Sequence, residues 1–509
     1  GDAPLRLSAV PARPYLHPAT MHYHLIGIAG TAMGSLAGLL RAVGHRVTGS
    51  DEGVYPPMSD LLDEMGIGYA RSFGPDNLEP RPDRVVVGNA VSRGNPELEA
   101  VLERRIPYTS AAQLLREELL EGRHVIAVAG THGKTTTTSL LAWILESAGL
   151  DPSFLVGGVA ENFGTSFRLG QGEHFVVEAD EYDTAYFDKG PKMWHYRPWT
   201  AVVTNVELDH ADIYRDEEAY RFAFERFVNL VPRTGTLVVG WDTPGARAVS
   251  RGSFAPVQSV DLEGPEGHPP PPGPGRETRV ADRVHPRWRA RDVSSGPDGT
   301  SFRLLHDGDV MGTFQTPLTG AFNVRNCLAA VAAARAAGAS WQGVREGLAT
   351  FRSVRRRMEL RGEVGGVAVV DDFAHHPTSV RGTLEAVRQR FPGRRVWAVF
   401  EPRSYTAQRS ESQPGYRTAL ATADRVVLAD LFRPERYDAE TGLDPEGLAR
   451  ELRELGVEAG HVPDVEEIVE LVAREAEPGD VVLVMSNGGF QDIHRRLLDR
   501  LRARDAEES

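Results

Sequence analysis

The chain has 509 residues, 41% hydrophobic and 25% charged, which excludes a disordered or collagen-like polymer. At roughly 150 residues per domain, that length predicts about three domains, each with its own core. Its 57 basic residues against 71 acidic ones leave a net charge of −14, a balance that argues against a nucleic-acid partner.

Residues 1–20 carry Pro4, Pro11, Pro14 and Pro18 without an apolar core of signal-peptide length, so they read as a flexible extension. No apolar run approaches the roughly 18 residues that span a bilayer. Cys327 is the only cysteine, which removes intrachain disulfides. The expectation is a soluble, cytoplasmic protein with no membrane partner. All but three of the basic residues are arginine, the exceptions being Lys134, Lys189 and Lys192. A GC-rich genome accounts for most of that skew, but a surviving lysine can mark a place where a compact ammonium is required.

An apolar strand from His22 to Ile28 runs into Gly27, Gly30 and Gly34, then into a helical pattern through Leu36, Leu39 and Leu40, and on to Val47 and Ser50-Asp51. This βαβ opening, with a further strand at Val85–Val87 and a helix from Pro96, predicts a first domain over 21–118. A second, over 119–350, begins with a strand at His124–Ala129, a glycine turn and a helix from Thr135 to Ser147. Strands follow at Phe175–Val177, Ala201–Thr204 and Thr236–Val239, and a helix at Asn326–Ala337. Within it the proline-rich run at 264–277 reads as a surface insertion. A third domain, 351–509, alternates strands at Val367–Val370, Val396–Phe400, Val426–Leu428 and Val481–Val484 with helices. The predicted fold class is α/β: three domains, each around a mostly parallel sheet.

Gly130-Thr131-His132-Gly133-Lys134-Thr135-Thr136 follows a strand and opens a helix, the context of a phosphate-binding loop, here in a shortened GxxGKT form with Val128 where the longer pattern has its first glycine. Backbone N–H groups and the helix N-terminus suit phosphates, Lys134 the terminal phosphates, and Thr135 magnesium. Gly27, Gly30 and Gly34 spell GxxGxxxG, with Ala29 in the middle, and read either as a pyrophosphate cradle or as close helix packing; Asp51 is placed for a ribose hydroxyl.

Glu178-Ala179-Asp180-Glu181 and Asn205 to Asp209 with His210 both fall after strands, at the edge where open parallel sheets bind ligands. Asp371-Asp372-Phe373-Ala374-His375-His376-Pro377 does likewise. Adjacent histidines without cysteine argue against zinc there and favour ribose or phosphate contact. Asn323 and Asn326, one helical turn apart, suit either a base or helix capping.

Taken together, GTHGKTTT at Gly130–Thr137, EADE at Glu178–Glu181, NVELDH at Asn205–His210 and DDFAHHP at Asp371–Pro377 resemble, in order, the motifs of the Mur ligase family, the ATP-dependent amide ligases of peptidoglycan synthesis. The resemblance implies a Rossmann-like UDP-binding domain, a P-loop ATPase-like central domain and a Rossmann-like C-terminal ligase domain. It implies ATP and Mg2+ as cofactors. Lys134, Glu178 and His210 take catalytic roles, and Thr135, Glu178 and His210 serve as metal ligands. ATP is bound by the loop Gly130 to Thr136 together with Asn323 and Asn326 at the adenine, Arg357 at the phosphates and Asp372 at the ribose.

The resemblance further implies that a UDP sugar is held by Gly27, Ala29, Gly30, Thr31, Ala32, Met33, Ser50, Asp51, Asn89 and Arg93, and a peptide by Arg403, Ser404, Ser486 and Asn487. The family's carbamylated lysine has no counterpart, since Phe224 and Glu225 occupy its window and no lysine follows Lys192.

Further segments, among them YPPMS at Tyr55–Ser59, GNAVSRGNPE at Gly88–Glu97, RRRMELRGE at Arg355–Glu363 and MSNGGF at Met485–Phe490, resemble the family branch that joins UDP-N-acetylmuramate to the tripeptide L-alanyl-γ-D-glutamyl-meso-diaminopimelate, in cell-wall recycling. The alternatives are the branch that adds L-alanine alone and, from another class, a P-loop switch protein that ligates nothing. The third peptide residue, diaminopimelate or lysine, and the oligomeric state are left open by the sequence.

Overall fold

The computed structural model describes residues 20–55, 58–209, 213–262, 287–433, 437 and 441–508. Residues 1–19, the proline-rich run at 264–277 and His210 therefore lie outside the described residues.

Three sheets organise the chain. The first runs β1 (His22–Ile26), β2 (Arg46–Ser50), β3 (Gly68–Ala70), β4 (Arg84–Val87) and β5 (Tyr108–Ser110), all parallel, in the order β3-β2-β1-β4-β5. Each strand after β1 follows a helical segment, as the alternating pattern predicts.

The second sheet takes β6 (His124–Ala129), β7 (Ser153–Ala160), β8 (Thr165–Arg168) and β9 (His174–Glu178). A separate antiparallel pair, β10 (Asp183–Ala185) and β11 (Asp188–Pro191), interrupts it. It resumes with β12 (Thr200–Val203), β13 (Thr236–Gly240), β14 (Val257–Leu262), β15 (Trp288–Gly296), β16 (Gly299–His306) and β17 (Asp309–Thr316). Its order is β17-β16-β15-β14-β13-β12-β6-β9-β7-β8, parallel from β15 through β7 with antiparallel strands at both ends. The hairpins β15–β17 were not read in the sequence: Trp288 and Ala290 alternate with Arg289 and Arg291, but register shifts between Arg291 and Ser294 and between Leu304 and Leu305 break the alternation after a few residues.

The third sheet holds β18 (Glu359–Val364), β19 (Val367–Asp372), β20 (Val396–Phe400), β21 (Arg425–Leu428), β22 (Glu458–His461) and β23 (Val481–Met485), ordered β18-β19-β23-β20-β21-β22 with only β18 antiparallel. Separate apolar cores cover its two faces, one around Leu384, Phe400 and Tyr416, the other around Trp397, Ile468 and Leu497.

The first and second sheets, by contrast, share one core. Leu36 and Leu39 of the helix Thr31–Ala42 belong to the same buried cluster as Phe175, Tyr220 and Phe224. Gly38 shows how close the approach is: a Cβ there would stand 2.1 Å from the Phe167 ring. The Ser35 and Ser166 hydroxyls meet at 2.8 Å across the same seam. Among the described residues, no helix is long and apolar enough to cross a membrane.

Candidate functional site

The strand β6, HVIAVA, is buried along nearly its whole length, flanked by β12 and β9. Its C-terminal end therefore lies between the chain leaving β9, with Glu178, and the chain leaving β12, with Thr204 and Asn205. The loop after β6 turns through Gly130 and Gly133, both with positive φ, +137° and +81°. Only glycine fits. A Cβ on Gly130 would stand 2.0 Å from the Thr204 hydroxyl, and one on Gly133 2.4 Å from Asn326 Oδ1. The helix Lys134–Ser147 then starts, anchored by buried Leu140, Leu141, Ile144 and Leu145.

The loop is locked from β12. The Asn205 side chain accepts from the His132 N–H (2.8 Å) and donates to the His132 carbonyl (3.1 Å), which also accepts from the Thr204 hydroxyl (2.6 Å). The Thr131 hydroxyl meets the Glu207 carbonyl at 2.9 Å and the Tyr220 hydroxyl at 3.0 Å. Thr136 is also buried. These bonds fix the loop's backbone without occupying the N–H groups at the start of the helix.

Lys134 Nζ lies 2.9 Å from Glu181 Oε2 and donates to the Gly130 carbonyl at 2.7 Å. Glu181 is fully buried and is held in turn by the Tyr220 hydroxyl at 3.2 Å. Burial opposes the Lys134 charge, but Glu181, then Asp180 and Glu178, more than offset it and keep the amine's pKa above its ordinary value.

Thr135 donates to Glu178 Oε1 at 2.8 Å, and the Gly157 N–H to Oε2 at 2.7 Å. Burial, then the charge of Asp180, raise the Glu178 carboxyl above the usual range. A hydroxyl and a carboxylate side by side at the loop are hard oxygen donors of the kind magnesium takes. Glu225, in the window of the missing lysine, instead faces Arg221 at 3.5 Å on the outside of its helix, while Phe224 is core.

The third domain reaches this site along the linker after Phe351. Ser353, Arg356 and Met358 all have positive φ, which turns Arg357 toward the loop, where its Nη2 lies 3.2 Å from the Thr135 hydroxyl. Burial depresses the guanidinium's pKa, against the charge of Asp372. Asn323 and Asn326 are buried on one face of the helix Ala321–Ala336, linked to each other at 3.2 Å, with Asn326 against Gly133. Asp372 is also buried, and its oxygens accept from the Met358 N–H (2.8 Å), the Ala374 N–H (2.8 Å) and the Thr383 hydroxyl (3.2 Å). Those bonds hold together the linker, the turn at Ala374 and the middle of the helix Pro377–Arg390.

From that helix Thr378 donates to Glu207 Oε2 at 2.7 Å, and the rings of His376 and His132 stand 4.8 Å apart. Burial opposes ionisation of Glu207, but His132 beside it, then Thr378 and His376, bring its carboxyl down to about 2. Burial, then His132, lower His376 to about 4.

In the first domain the loop after β1 is tied to β2 by the Gly27 N–H on the Ser50 carbonyl (2.8 Å) and by the Ala29 N–H on Asp51 Oδ2 (3.0 Å). Gly30, Thr31 and Ala32 are exposed at the N-terminus of the helix Thr31–Ala42, while Met33 is buried. Asp51 thus shapes the loop, its Oδ1 accepting from the Gly53 N–H at 2.9 Å. The Ser50 hydroxyl points inward to Glu97 Oε1 (2.8 Å). Asn89 is exposed, and Arg93 is paired with Glu99 at 2.9 Å.

In the third domain Ser486 donates to Glu401 Oε2 at 2.5 Å, and Arg403 lies 3.5 Å from Glu401 and over the Phe432 ring at 3.6 Å. The Ser404 hydroxyl accepts from the Ala407 N–H (3.2 Å), and Asn487 Oδ1 is buried without a hydrogen-bond partner. Arg356 donates to the carbonyls of Ser486 (2.8 Å) and Gly488 (2.7 Å). Consecutive arginines thus point in different directions, Arg357 to the phosphate-type loop and Arg356 to this turn.

Sequence reasoning brought Lys134, Thr135, Glu178, Asn323, Asn326 and Arg357 to the region where the structure gathers them. It named Glu181 and Glu207 only within the runs Glu178–Glu181 and Asn205–Asp209, with no contact of their own, and it missed Tyr220 and the contacts of Arg356. Glu181 was visible as the last letter of EADE, but its pairing with a lysine 47 residues earlier was not.

The three family descriptions that match this chain are "Mur ligase family, catalytic domain" over residues 22–123, "Mur ligase middle domain" over 128–334 and "Mur ligase, glutamate ligase domain" over 356–488. Among curated proteins, the UDP-N-acetylmuramate–L-alanyl-gamma-D-glutamyl-meso-2,6-diaminoheptandioate ligase of Escherichia coli K12 is 42% identical over 489 residues, 96% of this chain and 99% of that protein. The UDP-N-acetylmuramate–L-alanine ligase of Acetivibrio thermocellus is 33% identical over 480 residues, 94% of this chain and 95% of that protein. The crystal structure of a murein peptide ligase from Psychrobacter arcticus 273-4 matches with a TM-score of 0.68 and 36% identity, covering 95% of this chain and 99% of that one.

Proposed function

The chain belongs to the Mur ligase family, and on that premise we propose that it joins UDP-N-acetylmuramate to L-alanyl-γ-D-glutamyl-meso-diaminopimelate, converting ATP to ADP and phosphate. The tripeptide reading is favoured over the single-alanine reading by the higher identity to the tripeptide ligase, 42% against 33%. The observation that supports ligation most is the meeting of Lys134, Thr135, Glu178 and Arg357 at one sheet edge, with groups from two domains at a single loop.

In this reading the loop N–H groups and Lys134 hold the phosphates of ATP, with Lys134 exchanging its Glu181 contact for phosphate oxygens. Thr135 and Glu178 would hold magnesium, which when bound neutralises phosphate charge. His210 keeps its expected role at a second ion. The first-domain loop from Gly27 to Met33 holds the UDP sugar, and Arg403 with the Ser486–Asn487 turn holds the peptide.

The muramate carboxylate attacks the γ-phosphorus, ADP departs, and an acyl phosphate forms. The peptide's α-amine attacks that carbonyl, and phosphate leaves from the tetrahedral intermediate as the amine loses its proton. Since phosphoryl transfer needs little covalent help, the residues act by positioning and charge, with Arg357 offsetting charge that develops on the phosphoryl oxygens. The bond from Thr378 to Glu207 fixes the third domain against the segment that carries the loop, which excludes water from the acyl phosphate.

Phosphate release measured with ATP and UDP-N-acetylmuramate, adding tripeptide or L-alanine, tests the assignment. The proposal expects release only with tripeptide. Preference for L-alanine would move the chain to the other branch, and equal ATP turnover with and without the acceptor substrates would indicate a nucleotide hydrolase.

A further inference from the structure

His132 from the loop after β6, Glu207 from the segment after β12 and His376 from the start of the helix Pro377–Arg390 each present one donor atom, and the three atoms lie within 4.8 Å of one another. His132 Nε2 is 3.6 Å from Glu207 Oε2, and His376 Nδ1 is 3.9 Å from the same oxygen. Neither separation is a hydrogen bond. His132 Nε2 is buried with no hydrogen-bond partner, so a ring nitrogen faces a carboxylate without using it.

We propose that these three side chains form a binding site for a divalent transition ion of the zinc class, separate from the oxygen donors Thr135 and Glu178. Two imidazoles and a carboxylate are a donor set that zinc accepts and magnesium does not favour. Zinc bound at about 2.0–2.1 Å in tetrahedral geometry sets its ligand atoms roughly 3.4 Å apart, so the three donors need to close by on the order of 1 Å, with solvent in the fourth position.

The surroundings orient the ligands. Glu207 Oε2 accepts from the Thr378 hydroxyl at 2.7 Å, and the His132 backbone is clamped on both sides by Asn205. His376 begins its helix, its Nδ1 accepting from the Thr378 N–H at 3.3 Å, a long bond that a metal can replace. Adjacency to His375 is beside the point: His375 faces Asp209 at 3.9 Å, and His376 finds its partners on the second sheet instead. Because two ligands come from the second domain and one from the third, the bound ion ties the two domains together.

The test is zinc titration of the untagged, full-length, nucleotide-free protein in excess magnesium, followed by equilibrium dialysis and thermal melting. The expected result is one zinc per chain, a raised melting temperature, and affinity weakened about tenfold or more in His376→Ala and in Glu207→Gln but retained in Glu178→Gln. Absorption spectroscopy at the zinc edge on the unaltered protein should show two imidazoles, and it serves if a variant does not fold. No saturable site, equal affinity in His376→Ala, loss of binding in Glu178→Gln, or a zinc shell without imidazole would each overturn the proposal.

Discussion

The ammonium of Lys134 is bound by the carboxylate of Glu181, 2.9 Å away and wholly buried, so the phosphate-type loop carries its own counter-charge. Removing one member of a buried pair costs about 3–5 kcal/mol, because the other is left uncompensated. Glu181→Gln is expected to lower the melting temperature. The sign is fixed by the lysine: its folded pKa is raised, so the pair's stabilisation is complete below the ordinary lysine value of 10.5 and fades as pH rises through the higher folded value. Melting curves of both proteins from neutral to alkaline pH check this. A constant difference across that range contradicts it.

Arg357 bonds the Thr135 hydroxyl across the domain boundary at 3.2 Å. A hydrogen bond to a charged group contributes about 1.5–3 kcal/mol, or roughly 10- to 150-fold. Arg357→Ala should lower kcat/KM for ATP within that range while leaving the secondary structure unchanged by circular dichroism. Arg357→Lys should recover only part, since the ammonium lacks the planar fork.

Gly133 combines a φ of +81° with a Cβ position 2.4 Å from Asn326 Oδ1. Gly133→Ala therefore strains the backbone and displaces the asparagine, costing more than about 1 kcal/mol. Nucleotide affinity measured by calorimetry should fall together with stability. An alanine variant that binds ATP as tightly as the parent would refute the loop's assigned role.

Glu97 is a buried carboxylate beneath the first-domain loop, bonded to His24 Nε2 (2.6 Å), Asn77 Nδ2 (2.6 Å), the Ser50 hydroxyl (2.8 Å) and the Gly74 N–H (3.0 Å). Burial opposes its charge, but the bonds from His24, Asn77 and Gly74 bring its pKa below the ordinary 4.5. A carboxyl depressed by folding stabilises above its unfolded pKa and loses that contribution as pH falls through the folded value. The stability gap between the parent and Glu97→Gln should thus be widest near neutrality and narrow below pH 4.5, as followed by urea denaturation.

Much of this was legible in the sequence because the elements are local. A buried strand, a glycine turn and Lys-Thr at a helix start define the loop after β6 within about a dozen residues. The alternation of strands and helices likewise gave three parallel-rich sheets. Pairings over long separations were not legible. Thr378 on Glu207 spans 171 residues, and Arg356 on the Ser486 carbonyl spans 130.

Nor does a motif say which way its side chains turn. Asp372, read as a ribose contact, directs both oxygens to Met358, Ala374 and Thr383, and Ser50 turns inward to Glu97. The shared core of the first two sheets was also hidden, since Leu119 and Leu120, beside the boundary drawn at 118, are buried in it rather than exposed as a linker.

Isotope transfer tests the central claim most directly. UDP-N-acetylmuramate labelled with 18O in its lactyl carboxylate, incubated with ATP, magnesium and tripeptide, should release phosphate carrying one labelled oxygen per amide formed, because the carboxylate oxygen is passed to phosphorus in the acyl phosphate. Unlabelled phosphate, or phosphate release without a new amide in the mass spectrum, would contradict the account.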